Sequence, residues 1–392
     1  MTKDFQSVLV KLGNVCEIVM GQSPPSETYN TEKLGLPFFQ GKAEFTDLYP
    51  VVHKYCNKPN KIAEPNDILL SVRAPVGATN VANQRCCIGR GLAAIRYKNW
   101  KYVFYFLRSI EKDLDKKGTG TTFKAISGET IRETLMPLPS TEIQQQIVYK
   151  IEELFSELDK GTEELKTAQQ QLKVYRQAVY NSAIRSAELK TIECVIEKLD
   201  QGWSPKCYNE PSTVINEWAV IKTTAIQAGY FLENENKRLP ENLEPRKQHE
   251  LKAGDILITR AGPRVRVGVC CMVKHTRPKL INCDKVYRIR INTKVALPEY
   301  IELLLNSPVY SREIERMKTG INDSGVNLTQ KGFVNILIPI PSLEEQQQII
   351  QEIESRLSVC NKIEETINDS LKQAEALRQS ILKKAFNGEL LQ

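Results

Sequence analysis

Histidine is nearly absent from this chain: His53, His249 and His275 are the only three in 392 residues. That argues against a histidine-built metal centre or a Ser/His triad. None of the ten cysteines stands in a Cys-x-x-Cys spacing, so neither a zinc site nor a dithiol redox motif is signalled. Adjacent pairs such as Cys86-Cys87 seldom bond to each other, and all ten read as small apolar residues of a reducing cytosol. No apolar run approaches the length of a membrane span, and the opening MTKDFQSVLV has no signal-peptide pattern. The GxxxxGK[ST] loop that cradles nucleotide phosphates is missing as well. What is present is ordinary: 41% apolar and 26% charged residues, in a length suited to two or three domains.

The formal charge is +7 and unevenly spread. It is +6 over residues 1–140, −1 over 141–186, +5 over 187–342 and −3 over 343–392. Basic blocks thus alternate with mildly acidic ones. A basic block fits a polyanion such as DNA; the competing reading is a solvated surface with a modest Lys/Arg excess.

Proline is missing between Pro139 and Pro205, and a helical pattern fills the gap. Apolar or small residues fall at Ile147, Ile151, Leu154, Leu158, Gly161, Leu165, Ala168, Leu172, Tyr175 and Val179. The alternating steps of four and three make a heptad seam, the signature of a coiled coil. Ser140 or Thr141 can cap its start, with Glu142 in the first turn favoured by the helix dipole. The same start recurs 202 positions later: PSTEIQQQIVYKIEELFS from Pro139 becomes PSLEEQQQIIQEIESRLS from Pro341. At this offset Ile349, Ile353, Ile363, Ile367, Leu377 and Ile381 stand where the first copy has seam residues, and Arg356 replaces Leu154. Each helix needs a partner, and the nearest is the other copy. The blocks before the helices correspond in kind too: NDILLSVRAPVG (66–77) with GDILITRAGPRVRVG (254–268). The order is globular, helix, globular, helix, an internal duplication that gives pseudo-two-fold symmetry if the helices pack antiparallel.

GQSPPSETYN, LPFFQGKAEF, AEPNDILLSVRAPVGATNVA, CIGRGLAAIR, MPLPSTEIQQQIVYKIEELFSELD and YRQAV resemble the specificity subunit of type I restriction–modification enzymes. The resemblance covers essentially the whole chain, and the Pro-x-x-x-x-Gln-Gln helix start and its repeat are its most specific part. It implies an α+β fold with two target recognition domains, residues 1–140 and 188–342. A central spacer helix (141–187) and a C-terminal spacer helix (343–392) join them as an antiparallel coiled coil. Each domain is implied to read half of a split double-stranded DNA site, with the helices fixing the gap. The implied partners are two DNA adenine methyltransferase subunits and two restriction/translocase subunits. S-adenosylmethionine, ATP and Mg2+ belong to those partners, this chain binds no cofactor, and the implied location is the prokaryotic cytoplasm.

The residues carry no chemistry of their own that contradicts this. No Asn/Asp-Pro-Pro-aromatic motif of an adenine methyltransferase occurs. The glycine-rich GTGTT (118–122) reads as a loop. Asp67 and Asp255, before apolar runs, together with Glu250-Leu251-Lys252 could suggest a nuclease metal site. An Asp that ends a turn is the competing reading, and no metal ligand is assigned.

DNA-reading groups would be Lys and Arg for phosphates and Arg, Gln and Asn for base edges. In the first block the candidates are Gln22, Ser23, Gln40, Lys42, Arg73, Arg85, Arg90, Thr121 and Lys124, in Gly/Pro/Ser-marked loops. In the second they are Ser204, Lys206, Lys222, Arg246, Lys247, Arg260, Arg264 and Arg266, the last three in the segment RAGPRVR. For each, a solvated surface charge is the alternative. Phe38, Phe39 and Trp203 read as core. Two other functions share parts of this pattern: a coiled-coil adaptor between two proteins, which needs no basic blocks, and a self-contained restriction nuclease, which needs its own metal site.

Overall fold

The computed structural model describes residues 7–120, 124–182, 187–320 and 322–391. The chain forms two compact units, Met1–Lys166 with Asn368–Gln392, and Thr167–Ile367. The division cuts through both long helices instead of falling at their ends.

In the first unit, Ile68–Ser71 is a fully buried strand inside an antiparallel sheet. The order is Glu17–Met20, Leu92–Arg96, Ile68–Ser71, Thr79–Val81. Its apolar run starts from a turn at Asn66, whose φ is 72°. A second sheet of five short strands includes Leu36–Phe39, paired in parallel with Cys86–Ile88, and it buries Phe38 and Phe39 as core. Helix Trp100–Ser109 covers the first sheet with Tyr102, Val103, Phe106 and Leu107. Strands Val8–Lys11 and Leu135–Leu138 pair antiparallel, closing the block just before the helix that follows.

The second unit repeats this plan. Its main sheet runs Ile196–Gln201, Val286–Ile291, Ile256–Thr259, Cys270–Met272, again antiparallel with a buried central strand. Leu189–Thr191 pairs with Leu337–Pro339 to close the block. Asp67 and Asp255 prove to be fasteners of these sheets. Asp67 is buried, takes Arg96 at 2.7 and 2.8 Å and accepts the Glu64 N–H. Asp255 is buried, takes Arg290 at 2.8 Å and accepts the Lys252 N–H. Carboxylates so committed end a turn and tie neighbouring strands, as a buried charge must. Among the described residues, no group of three or more His, Cys, Asp or Glu has metal-site geometry.

The long helices are Thr141–Ser182 and Leu343–Phe386, of 42 and 44 residues, roughly 63 and 66 Å at 1.5 Å per residue. No described helix is long and apolar enough to cross a membrane. The repeated start now has a physical explanation. Ser140 caps the first helix by accepting the Ile143 N–H, and Ser342 forms a reciprocal capping box with Glu345. Five residues after each proline, a buried glutamine turns back: Gln144 donates to the Pro139 carbonyl and Gln346 to that of Pro341, both at 2.9 Å. Gln346 also accepts the Leu297 N–H at 2.8 Å. The motif therefore fastens each helix to the block before it.

The seam residues divide by position. Ile147 and Ile151 pack into the first unit's core with Val148 and Phe155, beside Ile381, Leu382, Ala385 and Phe386 of the C-terminal helix. Leu154 and Leu158 pack against this core half-buried. In the second unit, Val179 shares a core with Ile349, Ile350 and Ile353. Leu172 and Ile367 are buried, and Leu165 is half-buried. Three expectations are corrected: Tyr175, Ile363 and Leu377 are 49%, 43% and 49% exposed. The inward positions there are Cys360, Glu364, Ala374 and Arg378, the equivalents of Leu158, Thr162, Leu172 and Arg176, which also face inward in the first helix. Arg356 is exposed and pairs with Glu352, while Leu357 packs against the core in its place.

Candidate nucleic-acid interface

Both units build an equivalent backbone frame at the end of their central strand, three of its four bonds corresponding and the glycine N–H taking a different acceptor in each. In the first, Gly21-Gln22-Ser23-Pro24 lies against the hairpin 88–92. The Gly21 N–H donates to Leu92 O, that of Gln22 to Ile88 O, and Ser23 Oγ accepts the Arg90 N–H at 3.2 Å. In the second, Gly202-Trp203-Ser204-Pro205 lies against 282–286. The Gly202 N–H donates to Cys283 O, that of Trp203 to Asn282 O, and Ser204 Oγ accepts the Asp284 N–H at 3.1 Å. The hairpin then takes the next residue of the central strand: Val72 N–H to Gly91 O, and Arg260 N–H to Lys285 O. Glycine is obligatory at the turn, because a Cβ would stand 2.2 Å from Gly89 O at Gly21 and 2.0 Å from Asn282 O at Gly202.

On this frame the first unit gathers a basic cleft of about 650 Å³, lined by Gln40, Lys42, Arg73 and Arg90 with Glu44 as its acidic member. Gln22 is exposed and Ser23 half-buried beside it. Lys42, Arg73 and Arg90 are exposed and have no ion-pair partner among the described residues. Unpaired cations close together favour an incoming anion. Two other candidates are engaged elsewhere. Arg85 pairs with Glu64 at 3.2 Å. Lys124 pairs with Asp115 at 2.6 Å and its hydrogen bond holds that carboxyl below its ordinary value. Thr121 lies outside the described residues.

In the second unit the frame carries Trp203, Ser204, Asp284 and Arg260. Arg246 lies over the Trp203 ring at 4.7 Å, a cation–π contact that leaves its donors to solvent. Trp203 is thus half core and half platform: it packs against the apolar cluster below and supports a cation above. Lys206 and Lys247 are exposed without an ion pair among the described residues, whereas Lys222 faces Glu235 at 3.6 Å.

The RAGPRVR arginines, named above as DNA-contact candidates, are not presented together. Arg264 bridges Glu315 and Asp323, each at 2.8 Å. Arg266 donates to the carbonyls of Thr223 and Ile226 at 2.6 and 2.7 Å, fastening a loop. Arg260 is half-buried, with its Nε on the Asp284 carbonyl at 2.9 Å. The turn at Gly262 (φ 138°) aims the three side chains at different acceptors, so low-dielectric hydrogen bonds outcompete a shared anion. Sequence reasoning overlooked Asp284 because a single carboxylate in a basic block carries no local signal.

The family described as Type I restriction modification DNA specificity domain matches residues 5–174 and again 206–373. The EcoEI specificity subunit of Escherichia coli is 37% identical over 193 residues, 49% of this chain and 32% of that protein. The chain thus spans about a third of that relative's length in the matched region. The EcoBI specificity subunit of Escherichia coli is 24% identical over 97% of this chain and 85% of that protein. Among solved structures, the HsdS subunit from Thermoanaerobacter tengcongensis is 46% identical over 40% of this chain and 39% of that one, with a TM-score of 0.36. Twice matched, once per unit, the chain belongs to the type I restriction–modification DNA specificity family.

Proposed function

We propose that this chain is the sequence-reading, non-catalytic subunit of a type I restriction–modification complex. Each unit reads one half of a split double-stranded DNA site. One observation carries the reading: the Gly-x-Ser-Pro turn and its hairpin are built twice with equivalent bonds at the second residue, the serine and the central strand, only the glycine N–H differing in its acceptor, yet carry different side chains. A common scaffold with unlike chemistry at its tip is what two half-sites of different sequence require. The fixed commitments of Asp67 and Asp255 speak against metal-dependent cutting by this chain itself.

The long helices pair antiparallel as the spacer that sets the unread gap between half-sites. This is supported by their contacts. Asp159 meets Arg378 and Arg176 meets Asn361, so an advance from 159 to 176 on one helix accompanies a retreat from 378 to 361 on the other. Two adenine methyltransferase subunits and two restriction/translocase subunits complete the assembly. S-adenosylmethionine, ATP and Mg2+ are bound by those partners, and the complex works in the prokaryotic cytoplasm. Mapping methylated adenines in the source genome tests this: a split motif is expected. Exchanging residues 1–140 for those of a related chain should change one half of the motif. A change in both halves, or no split motif, refutes the reading.

A further inference from the structure

The tip of the repeated hairpin reverses its charge between the units. Arg90 in the first and Asp284 in the second hold the same place, each with its backbone N–H on the Oγ of the Gly-x-Ser-Pro serine. Arg90 is exposed and has no ion pair among the described residues. Asp284 is the more telling. It is half-buried beside Arg260 and followed by the exposed Lys285, yet forms no ion pair among the described residues. Arg260, the cation next to it, bonds to its backbone carbonyl and not to its carboxylate. Ser204 Oγ–H donates to Oδ1, which fixes the carboxylate's orientation and leaves Oδ2 as an acceptor.

A carboxylate held in a basic surface cannot contact phosphate, since like charges repel. Against DNA its one favourable partner is a donor on a base edge. In the major groove those donors are the exocyclic amino groups of cytosine and adenine, while an arginine at the same place matches the N7 and O6 acceptors of guanine. We propose that the hairpin tip reads one base in each half-site: Arg90 a guanine, Asp284 the exocyclic amino group of a cytosine or adenine. The assignment rests on the DNA-reading function proposed above. Arg246 on its Trp203 platform, whose backbone N–H bonds to Asn282 O just before this tip, then supplies a phosphate contact.

The test is selection and sequencing of bound duplexes from a random library, with the full chain as wild type, R90Q and D284N. Both variants keep the frame, because the serine bonds in each case to the backbone N–H, and Asn retains Oδ1 for Ser204. In R90Q, the preferred guanine at one position of one half-site should give way to adenine, the base glutamine matches, with discrimination falling roughly 5- to 150-fold. In D284N, one position of the other half-site should relax, while affinity for scrambled duplex rises because a repulsive charge is gone. A wild-type motif that both variants leave unchanged overturns the assignment alone. Uniform weakening without a change of motif does so too, since it marks a structural or phosphate-facing role. A wild-type chain that enriches no motif overturns the assignment together with the function it rests on.

Discussion

Replacing Glu302 by glutamine should make the second unit more stable above neutral pH, although it deletes a charge from a protein rich in cations. Glu302 lies on helix Pro298–Leu305, 8% exposed, and its Oε1 accepts the Met272 N–H at 2.6 Å. Burial pushes its carboxyl up to about 7. The Met272 N–H and Lys274 oppose that rise, while the Glu299 and Glu354 carboxylates add to it. A carboxyl whose value is raised on folding binds its proton more tightly in the native state. Its favourable contribution is complete below the ordinary value of 4.5 and is lost as pH rises through about 7. That interval corresponds to about 3 kcal/mol at 1.36 kcal/mol per pH unit. Glutamine keeps the acceptor for Met272 and cannot ionise. E302Q should therefore match the wild type near pH 4.5 and exceed it by up to about 3 kcal/mol at pH 8.5. The chain has three tryptophans, and only Trp203 and Trp218 lie in the second unit, so a W100F background makes urea unfolding followed by fluorescence report on that unit. Parallel pH profiles for the two proteins would refute the reasoning.

Three further outcomes are expected. I151D places a charge at a fully buried position of the first unit and should cost at least the ~2–5 kcal/mol of a core truncation; unchanged thermal stability and proteolytic resistance would deny the packing described. Q346L leaves the Leu297 N–H without its acceptor and the Pro341 and Val295 carbonyls without their donor, and should destabilise the second unit by at least ~1–3 kcal/mol in urea titration. R266Q should lower stability by ~1.5–3 kcal/mol through its lost loop bonds; its DNA affinity should keep the wild-type salt dependence, whereas a slope lower by about one would return Arg266 to the interface.

The helices were readable from sequence because a 3.6-residue period acts over many turns and tolerates local exceptions. The exceptions fall where the period alone decides nothing. Ile363 and Leu377 are apolar at repeat-equivalent places, but the second helix turns Cys360, Glu364 and Arg378 inward there. The role of Gln144 and Gln346 was invisible because their acceptors are carbonyls, which every residue possesses. At the candidate interface, Gln22, Ser23, Gln40, Lys42, Arg73 and Arg90 come together on one frame, since Gly/Pro/Ser turns mark surface loops. The arginines of RAGPRVR were harder to place. Whether a guanidinium meets a neighbouring carbonyl, a carboxylate or solvent depends on residues distant in sequence, such as Thr223, Ile226 and Glu315. The charge reversal from Arg90 to Asp284 becomes visible only when backbone bonds align the two hairpins.

The ring of Phe386 meets those of Tyr102 and Phe106 at 5.2 and 5.4 Å inside the first unit. This contact sets a schedule for biosynthesis. The ribosome releases the recognition block and the start of its helix early, but Ile381, Leu382, Ala385 and Phe386 of that core are made only after the second unit. Between Phe155 and Phe386 the chain still to be translated takes about 10–50 s at 5–20 residues per second. For that time the nascent first unit waits with an uncovered apolar face while the whole second unit emerges. A nascent chain in that state is a natural client for holding chaperones, and slow codons between 155 and 386 would prolong its exposure. Stops within codons 368–386 should therefore harm the unit encoded first more than the unit encoded next to them.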